Sequence, residues 1–220
     1  RYSWLRSFQP APVIMRNIKT LELFCGTKSF SKVAKSLGCQ TLTIDIDPRF
    51  EPDICKDIID LTASELPYDI DILWASPPCD CFSVASIGKH WNPDKTPKTD
   101  KARLALKIIG KMILLIKEIK PRYFFIENPR GMLRTISMMD EFMRHTVTYC
   151  QYGDTRMKPT DIWTNCDIEL KPPCKNGDSC HERAPRGTRQ GTQGIDGRVM
   201  RGVIPERLCR EIIEKCLRFE

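Results

Sequence analysis

The sequence has no long apolar run and no disorder-prone composition. Its longest all-apolar stretches are short pieces such as residues 112–116, whereas a membrane-spanning helix needs roughly 18 to 20 apolar residues. Apolar residues make up 41% of the 220 residues and charged residues 29%, which excludes an intrinsically disordered chain. We therefore expect one folded domain with a real core and no membrane partner.

Targeting segments are also missing from the sequence. The first residues contain no apolar stretch of the kind that a signal peptide requires, and nothing resembles a transit peptide. There are 11 cysteines, an odd number, and Cys25, Cys39 and Cys55 lie in apolar segments, where a thiol packs as a small apolar group. The thiols are predicted to be mostly reduced, and the predicted location is the cytoplasm, bacterial or phage-infected.

Positive charge exceeds negative charge by 7, and most of the excess lies near the C-terminus. Residues 171–210 carry nine basic and four acidic side chains in a stretch rich in Gly and Pro. Such a segment suits a polyanionic partner, although an ordinary solvated loop has a similar composition.

The chain alternates apolar runs with helical patterns and contains no internal repeat. Strands are predicted at residues 19–24, 41–46, 70–75 and 123–126, and helices at 30–37 and 102–119. This order is typical of an α/β fold with a mostly parallel sheet and helices on both faces.

Polar residues gather at the predicted strand ends, where open α/β sheets bind their ligands. The set is Glu22, Cys25, Gly26, Asp45, Asp47, Ser76, Cys79, Glu127 and Asn128. Gly26 allows a ligand to approach the backbone closely, and Asp45 stands where nucleotide-binding sheets place an acid for ribose hydroxyls. A purely structural turn and a helix cap are the alternatives for these two residues.

The segment Pro77-Pro78-Cys79 favours a nucleophilic thiol, because two prolines fix the backbone just before the sulfur. A metal pair of Cys79 and Cys81 is an alternative, although one intervening residue is tight for zinc. Glu127, which follows the next strand, provides a carboxyl group that could donate a proton to a ring nitrogen.

These segments together resemble the DNA cytosine carbon-5 methyltransferases, which use S-adenosylmethionine. Residues 23–30 are similar to the first motif of that family, with Lys28 and Ser29 where two glycines are usual. Residues 77–83 are similar to the nucleophile motif, and residues 127–129 to its Glu-Asn-Val, with Pro129 in place of valine. Residues 151–153 open a segment that resembles the eighth motif, and residues 203–208 resemble the tenth.

The resemblance implies a Rossmann-like class I S-adenosylmethionine-dependent methyltransferase fold and a role for each matching residue. Cys79 would add to carbon 6 of a cytosine flipped out of duplex DNA, Glu127 would hydrogen-bond ring nitrogen 3, and Asn128 would position Glu127. Cofactor contacts are expected from Phe24, Gly26, Thr27, Phe30, Asp45, Ile46, Asp57, Ile58, Ser76 and Pro77. The loop 80–99, with Lys89, His90, Trp91, Lys95 and Lys98, would close on the DNA.

The eighth motif departs from the family pattern of a glutamine and two arginines. Arg156, Lys158 and Thr160 stand at those positions, and Arg156 and Lys158 are assigned to substrate or phosphate contact. Because Thr160 cannot make the cationic contact of the second arginine, we expect a neighbouring basic residue to replace it.

The large target-recognition domain of the family is missing, which suggests a compact, phage-like member. About 40 residues take its place, and they contain Cys166, Cys174, Cys180 and His181, a candidate set of ligands for a structural zinc ion. Four coincidental residues are the alternative. With Arg183, Arg186 and Arg189, this lobe is the candidate DNA-contacting surface.

The predicted organisation is an N-terminal extension (1–17), a catalytic core (18–163), a small basic lobe (164–198) and a C-terminal helix returning to the core (199–220). We expect a monomer that acts on double-stranded DNA with S-adenosylmethionine. The same chemistry on RNA, or with a modified donor such as carboxy-S-adenosylmethionine that Lys28 would attract, is a second hypothesis. A catalytically silent DNA-binding module is a third.

Overall fold

A computed structural model of the protein describes residues 17–67, 69–182 and 198–218. The described part is built on one seven-stranded sheet. Its strands are β1 (Lys19–Leu23), β2 (Gln40–Asp45), β3 (Ile54–Cys55), β4 (Ile72–Ala75), β5 (Tyr123–Pro129), β6 (Met143–Thr148) and β7 (Pro159–Thr164).

The strand order is β3-β2-β1-β4-β5-β7-β6. Strands β1 to β5 pair in parallel, whereas β7 runs antiparallel to both of its neighbours. A parallel sheet that reverses its order beside β1, with one antiparallel strand inserted next to its edge strand, is the Rossmann-like class I methyltransferase fold, as the resemblance predicted. The reversal places a crevice at the carboxyl ends of β1 and β4, where such sheets bind ligands.

Helices cover both faces of the sheet and divide the core in two. The helices are α1 (Ser29–Ser36), α2 (Ile87–His90), α3 (Asp100–Ile119), α4 (Arg198–Gly202) and α5 (Glu206–Arg218). The amphipathic helix α3 buries Ile109, Met112 and Ile116 against one face. On the other face α1 packs with α5, whose Leu208 and Ile212 are fully buried. Burying both faces explains why β4 and the first half of β5, at the centre of the sheet, are continuous apolar runs.

The ends of α3 follow ordinary capping chemistry. The Thr99 side chain accepts a hydrogen bond from the Ala102 amide at the N-terminus, which satisfies one of the unpaired donors of the first turn. At the C-terminus Lys120 is left-handed, and Pro121 prevents the helix from continuing. Short 3-10 helices cover Pro48–Phe50, Ala63–Glu65, Met132–Thr135, Ser137–Met139 and Tyr149–Tyr152.

The predicted elements are all present, with bounds shifted by one to three residues. The prediction missed β6 and β7, and also β3, which has only two residues. Most of the predicted extension (1–16) and Arg183, Arg186 and Arg189 lie outside the described residues. No helix in the described ranges is long and apolar enough to span a membrane.

Candidate active site at the strand ends

The loop after β1 is shaped by a buried carboxyl group. Glu22 accepts hydrogen bonds from the backbone amides of Phe30 and Ser31, at 3.3 and 2.9 Å, and so caps the start of α1 from the neighbouring strand. Burial raises the pKa of Glu22 to about 7, because desolvation disfavours the charged form. Glu22 thus helps to fix the loop between β1 and α1.

Asp45 fixes the same loop from the side. One carboxylate oxygen accepts from the Gly26 amide at 2.9 Å, and the other accepts from the Asp47 amide at 2.9 Å. Gly26, Phe24 and Lys28 all have positive φ, between 46° and 57°, a conformation that only glycine adopts without strain. Lys28 donates to the Glu51 carbonyl at 2.5 Å, so its ammonium group is already partnered.

The remaining predicted cofactor residues follow β2, β3 and β4 along the same edge, with one exception. Ile46 is 62% exposed at the end of β2, although it is a large apolar residue. Asp57, Ile58, Ser76 and Pro77 continue this edge, and Ile58 and Pro77 are buried. We call the following residues the cofactor side: Glu22, Phe24, Gly26, Thr27, Asp45, Ile46, Asp57, Ile58, Ser76 and Pro77.

Phe30 is the exception. Its side chain is fully buried and stacks on Trp74 with ring centroids 5.1 Å apart. It belongs to the core between α1 and the sheet. The assignment of Phe30 to cofactor binding is therefore corrected, because a side chain with no exposed surface has no face to offer a ligand.

The turn that carries Cys79 is tied to the neighbouring strand. The Asn128 side chain donates to the Pro77 carbonyl at 2.9 Å, and Asn128 is fully buried. The Cys79 carbonyl accepts from the amides of Phe82 and Ser83, both at 3.0 Å. Cys79 is a partly exposed residue, and these hydrogen bonds fix its backbone.

Opposite charges act on the Cys79 thiol. Burial raises its pKa, the charge of Glu127 raises it further, and the charge of Lys158 lowers it. The thiolate is the nucleophilic form of a cysteine. Lys158 is therefore the group that favours a reactive Cys79.

Glu127 is held from two directions by residues around β7. The Tyr149 hydroxyl donates to Glu127 Oε1 at 2.8 Å, and Lys158 Nζ lies 4.0 Å from the same oxygen. Lys158 Nζ also lies 4.3 Å from the centre of the Tyr149 ring and donates to the Arg201 carbonyl at 3.0 Å. Burial lowers the pKa of Lys158 and raises that of Tyr149 well above its usual value. We call Cys79, Glu127, Tyr149 and Lys158 the base side.

The other eighth-motif residues have different surroundings. Arg156 is buried, and its guanidinium forms an ion pair with Asp154, whose carboxylate it contacts through Nε at 2.8 Å. Thr160 is buried on β7 and donates to the Lys158 carbonyl at 3.1 Å. Lys158 is thus the basic residue that lies beside Glu127, and Arg156 holds the turn that precedes it.

The loop 80–99 divides into packed and exposed parts. Trp91 is buried and donates to the Cys81 carbonyl at 2.7 Å, and its ring lies 5.7 Å from that of Phe82. His90 is also buried and hydrogen-bonds Thr99. The expected DNA contact of His90 and Trp91 is therefore corrected to a packing role, whereas Lys89, Lys95 and Lys98 are exposed.

Gly131 lets the end of β5, the strand that carries Glu127, approach the loop that follows Cys79. A Cβ at this position would overlap the Phe82 carbonyl oxygen, and the Met132 amide donates to that oxygen at 2.7 Å. The two loops are in backbone contact through Gly131, with no room for a side chain between them.

Three of the four predicted zinc ligands meet, and the fourth is replaced. Cys174, Cys180 and His181 lie together with Cys150, with all four ligand atoms within 4.8 Å of one another. Cys166 is not part of this group: its sulfur contacts the Thr164 hydroxyl, and its side chain packs against the core of α5. The prediction of Cys166 as a ligand is corrected to Cys150. Cys81 is buried in the core, so Cys79 and Cys81 do not form a metal pair.

A cavity of about 1050 Å³ opens beside the first motif, away from most of the cofactor side. Its lining includes Thr27, Val33, Tyr152, Val203 and Arg207. Thr27 is the one predicted cofactor residue among those that line it. The cavity therefore marks where α1 meets the tenth-motif segment, whereas the strand-end residues form a more open edge.

Sequence reasoning missed Tyr149, Gly131 and Cys150. Tyr149 and Cys150 immediately precede the segment that opens the eighth motif, and their spacing carries no signal of its own. Gly131 follows Glu127 by four residues, and a glycine there was a usable hint of close backbone approach. Contacts across the sheet, not sequence patterns, bring these residues to the site.

Several known proteins are similar to this chain in sequence. A sequence model of the family described as C-5 cytosine-specific DNA methylase matches residues 18–142. A probable DNA (cytosine-5)-methyltransferase of Frog virus 3 is 29% identical over 218 residues, covering 90% of this chain and 100% of the viral protein. The type II methyltransferase M.XorII of Xanthomonas oryzae is 26% identical over 151 residues, which cover 60% of this chain and 32% of that enzyme.

Solved structures give more distant matches. The S. pombe Dnmt2 methyltransferase has a TM-score of 0.48 at 16% identity and covers 70% of this chain and 53% of its own. The Entamoeba histolytica methyltransferase EhMeth has a TM-score of 0.47 at 14% identity, with 73% and 57% covered. The chain spans about half the length of these two proteins. The family match covers more than half of the chain and includes both the Cys79 and the Glu127 segments: this protein belongs to the family of C-5 cytosine-specific DNA methylases.

Proposed function

We propose that this protein transfers a methyl group from S-adenosylmethionine to carbon 5 of cytosine in duplex DNA, through a covalent adduct of Cys79 with a flipped base. The observation that carries the proposal is the arrangement of the base side. Cys79 is partly exposed, and the charges of Glu127 and Lys158, which lie 4.0 Å apart, both act on the pKa of its thiol. In this proposal they serve as a nucleophile, a proton donor and a cation that act together on the base.

Each group has a defined task in this reaction. The Cys79 thiol loses its proton to solvent, and its sulfur forms a bond to carbon 6 of cytosine. Glu127, supplied with a proton, hydrogen-bonds or protonates ring nitrogen 3 and so stabilises the charge that develops there. Lys158 lies beside Glu127 and offers a cation to the base, the contact that Thr160 cannot make.

The electron balance closes in two further stages. Addition of the sulfur would place an electron pair on carbon 5, which would take up the methyl group as the bond between that group and the sulfonium sulfur of the cofactor breaks. A base then removes the proton from carbon 5, the carbon 5–carbon 6 double bond re-forms, and the Cys79 sulfur leaves as thiolate. The thiolate takes up a proton, and the free cysteine is restored.

The cofactor side has the chemistry that S-adenosylmethionine requires. When bound, this cofactor supplies an electrophilic methyl group and leaves as S-adenosylhomocysteine. Asp45 would bind the ribose hydroxyls, and the exposed side chain of Ile46 would cover the adenine ring. Asp57 would accept from the adenine amino group beside Ile58, while Phe24, Gly26, Thr27, Ser76 and Pro77 would form the backbone rim. The exposed apolar side chain between carboxylates supports this fit.

The substrate is reached from outside the sheet. Cytosine in a duplex is inaccessible, so the base must leave the stack before Cys79 can attack it. The exposed Lys89, Lys95 and Lys98 would contact phosphates, which gives affinity and salt dependence more than sequence choice. Arg183, Arg186 and Arg189, which lie outside the described residues, would add to that surface.

The remaining assignments complete the proposal. The catalytic core would comprise residues 18–163, the basic lobe 164–198 and the returning C-terminal segment 199–220. The protein would act as a monomer in a reducing cytoplasm. A zinc ion, the second cofactor predicted from the sequence, would be structural and take no part in methyl transfer.

The test is nucleoside mass spectrometry of mixed-sequence duplex DNA incubated with the protein and S-adenosylmethionine. We expect 5-methyldeoxycytidine with the unchanged protein and with Cys166→Ser, and none with Cys79→Ala. A duplex in which every cytosine carries fluorine at carbon 5 should trap a covalent complex, because no proton is available there for removal. Trapping should fail with Cys79→Ala.

Three further outcomes select the alternative hypotheses. Methylation of RNA but not DNA under the same conditions would change the substrate class. A product mass other than that of a methyl group, obtained with carboxy-S-adenosylmethionine, would change the donor. Salt-dependent DNA binding with no product and no trapped complex would indicate a silent binding module and refute the proposal.

A further inference from the structure

The segment after β7 has almost no core of its own. Residues 165–182 contain no helix and no strand, and Ile168 is their one buried side chain. A segment of this length cannot be held by apolar burial alone, and small units of this kind need a disulfide or a metal. Yet the segment follows a definite path along residues 148–155.

Three backbone hydrogen bonds mark that path. The Cys174 amide donates to the Thr148 hydroxyl at 3.1 Å. The Lys171 amide donates to the Tyr152 hydroxyl at 2.9 Å, and the Glu182 amide donates to the Thr155 carbonyl at 2.9 Å. These contacts bring Cys174, Cys180 and His181 over the turn that carries Cys150.

Four of the separations between the ligand atoms lie within about 0.6 Å of those in a tetrahedral zinc site. Zinc–sulfur bonds of about 2.3 Å and zinc–nitrogen bonds of about 2.0–2.1 Å imply about 3.8 Å between sulfurs and about 3.6 Å between sulfur and nitrogen. Cys150 and Cys174 are 3.2 Å apart, and Cys180 and Cys150 are 3.6 Å apart. His181 Nδ1 lies 3.6 Å from the Cys174 sulfur and 3.5 Å from the Cys180 sulfur.

Neither a disulfide nor apolar packing accounts for the cluster as well as a metal ion does. A disulfide requires a sulfur separation of about 2.05 Å, and every cysteine of the cluster is a free thiol. One disulfide would also not explain why a third cysteine and a histidine lie against the same two sulfurs. Apolar packing is excluded for His181 and Cys180, which reach the surface. Asp178, the nearby carboxylate, is bound to the Lys175 amide at 2.8 Å.

We propose that Cys150, Cys174, Cys180 and His181 bind one structural zinc ion. Three thiols would lose their protons to solvent and bind as thiolates, and neutral His181 would bind through Nδ1, so that one ion replaces three protons. Four protein ligands close the coordination sphere, as in structural zinc sites. The ion would carry no open position for a substrate.

The site connects the lobe to the base side. Cys150 is the residue after Tyr149, whose hydroxyl donates to Glu127. Zinc therefore fastens the lobe directly to the turn that positions the catalytic carboxyl group. The proposal stands apart from methyl transfer, because the same ligands would bind zinc whatever the reaction.

The first experiment is the zinc content of the full chain purified without chelators, measured by inductively coupled plasma mass spectrometry. We expect one zinc per chain. Cys150→Ser and Cys174→Ser should lose most of it, whereas the matched control Cys166→Ser should keep it. The comparison of Cys150→Ser with Cys166→Ser separates the ligand set that contains Cys150 from the one that contains Cys166.

A second measurement avoids variants that fail to fold. Cobalt(II) replacing zinc in the unchanged chain should give intense visible bands and thiolate charge-transfer bands, the signature of a tetrahedral site with sulfur ligands. A purified full chain that contains no zinc, although the three thiols and the imidazole of the site are free to react, would overturn the proposal. So would a Cys150–Cys174 disulfide, zinc loss in Cys166→Ser with retention in Cys150→Ser, or an octahedral cobalt spectrum. None of these readouts depends on methylation, so the two proposals fail separately.

Discussion

The cofactor side and the base side lie at the same end of one sheet and are built in opposite ways. On the cofactor side, the carboxylates of Glu22 and Asp45 accept hydrogen bonds from backbone amides, so these side chains fix the loop that follows β1. On the base side, Tyr149, Glu127 and Lys158 contact one another, and Asn128 holds the turn of Cys79. On the cofactor side the polar side chains fix the backbone, whereas on the base side they contact one another and the charge of Glu127 acts on the pKa of its neighbours.

The difference predicts different failures. Changes on the cofactor side should alter stability and its dependence on pH, because the carboxyl groups there support backbone. Changes on the base side should alter the rate while the fold persists, because the groups there face each other around the reacting position.

Among the residues that contact Glu127, Lys158 should give the largest effect on rate. Lys158→Met removes the cation beside Glu127 and should lower kcat by about 10²–10³-fold, the range for loss of one electrostatic contact to a transition state. Lys158→Arg should recover part of the rate. Steady-state kinetics on duplex DNA measures both variants. Equal kcat values for Lys158→Met and the unchanged protein would refute the role of Lys158 as a cation that contacts the base.

The pH profile adds an independent check on Lys158. Burial lowers its pKa, so the ammonium loses its proton at lower pH than an exposed lysine. An arginine stays charged throughout. The alkaline fall in the activity of the unchanged protein should therefore move to higher pH in Lys158→Arg. A profile that stays the same would mean that another group sets that limb.

Glu22 should control the pH dependence of stability on the cofactor side. Its pKa is raised from 4.5 to about 7, so the contribution is fully present below pH 4.5 and is lost as pH rises through 7. The free energy of unfolding of the unchanged protein, compared with Glu22→Gln, should fall by up to about 3 kcal/mol over this range.

The measurement is urea unfolding of both proteins at pH 5 and at pH 8. Other titrating groups are common to the two and cancel in the difference. A difference that is constant with pH would contradict the raised pKa. If the free energy of unfolding of the unchanged protein rose with pH relative to that of Glu22→Gln, the pKa of Glu22 would be lowered on folding and not raised.

Gly131 joins the loop after Cys79 to the end of β5 and should affect both stability and rate. Gly131→Ala forces a Cβ against the Phe82 carbonyl and should cost about 1–3 kcal/mol, the usual penalty for overpacking. The loop of Cys79 should shift with it and lower kcat. Gly110→Ala is the matched control, because nothing lies within 4 Å of its Cβ and it should stabilise α3 by up to about 1 kcal/mol. Equal thermal stabilities for the two variants would contradict the close contact.

Tyr149 should give the smallest effect and the most specific one. Tyr149→Phe removes the hydrogen bond to Glu127 but keeps the ring under Lys158, and we expect a loss of about 1–1.5 kcal/mol, roughly tenfold in kcat. The KM for S-adenosylmethionine should not change, because Tyr149 lies on the base side. A raised KM with unchanged kcat would give Tyr149 a binding role instead of a positioning role.

Most of the sheet and the cofactor side could be predicted from the sequence. Strand ends, the Gly26 turn and Pro77-Pro78-Cys79 are local patterns, in which the residue type and its place in the chain carry the information. The prediction failed for Phe30, His90 and Trp91, which look like site residues by position but are buried. Local sequence does not indicate which of two faces a side chain meets.

The sequence by itself therefore determined the α/β class, the edge of the sheet at which the candidate site lies, and the two segments that carry Cys79 and Glu127. Only the tertiary structure decided which residues complete the site. The antiparallel strand β7 sets Lys158 and Tyr149 against Glu127, and the path of the lobe exchanges Cys166 for Cys150. The physical reason is that both choices depend on contacts between segments more than 20 residues apart, whose register is fixed by the pairing and packing of the whole sheet.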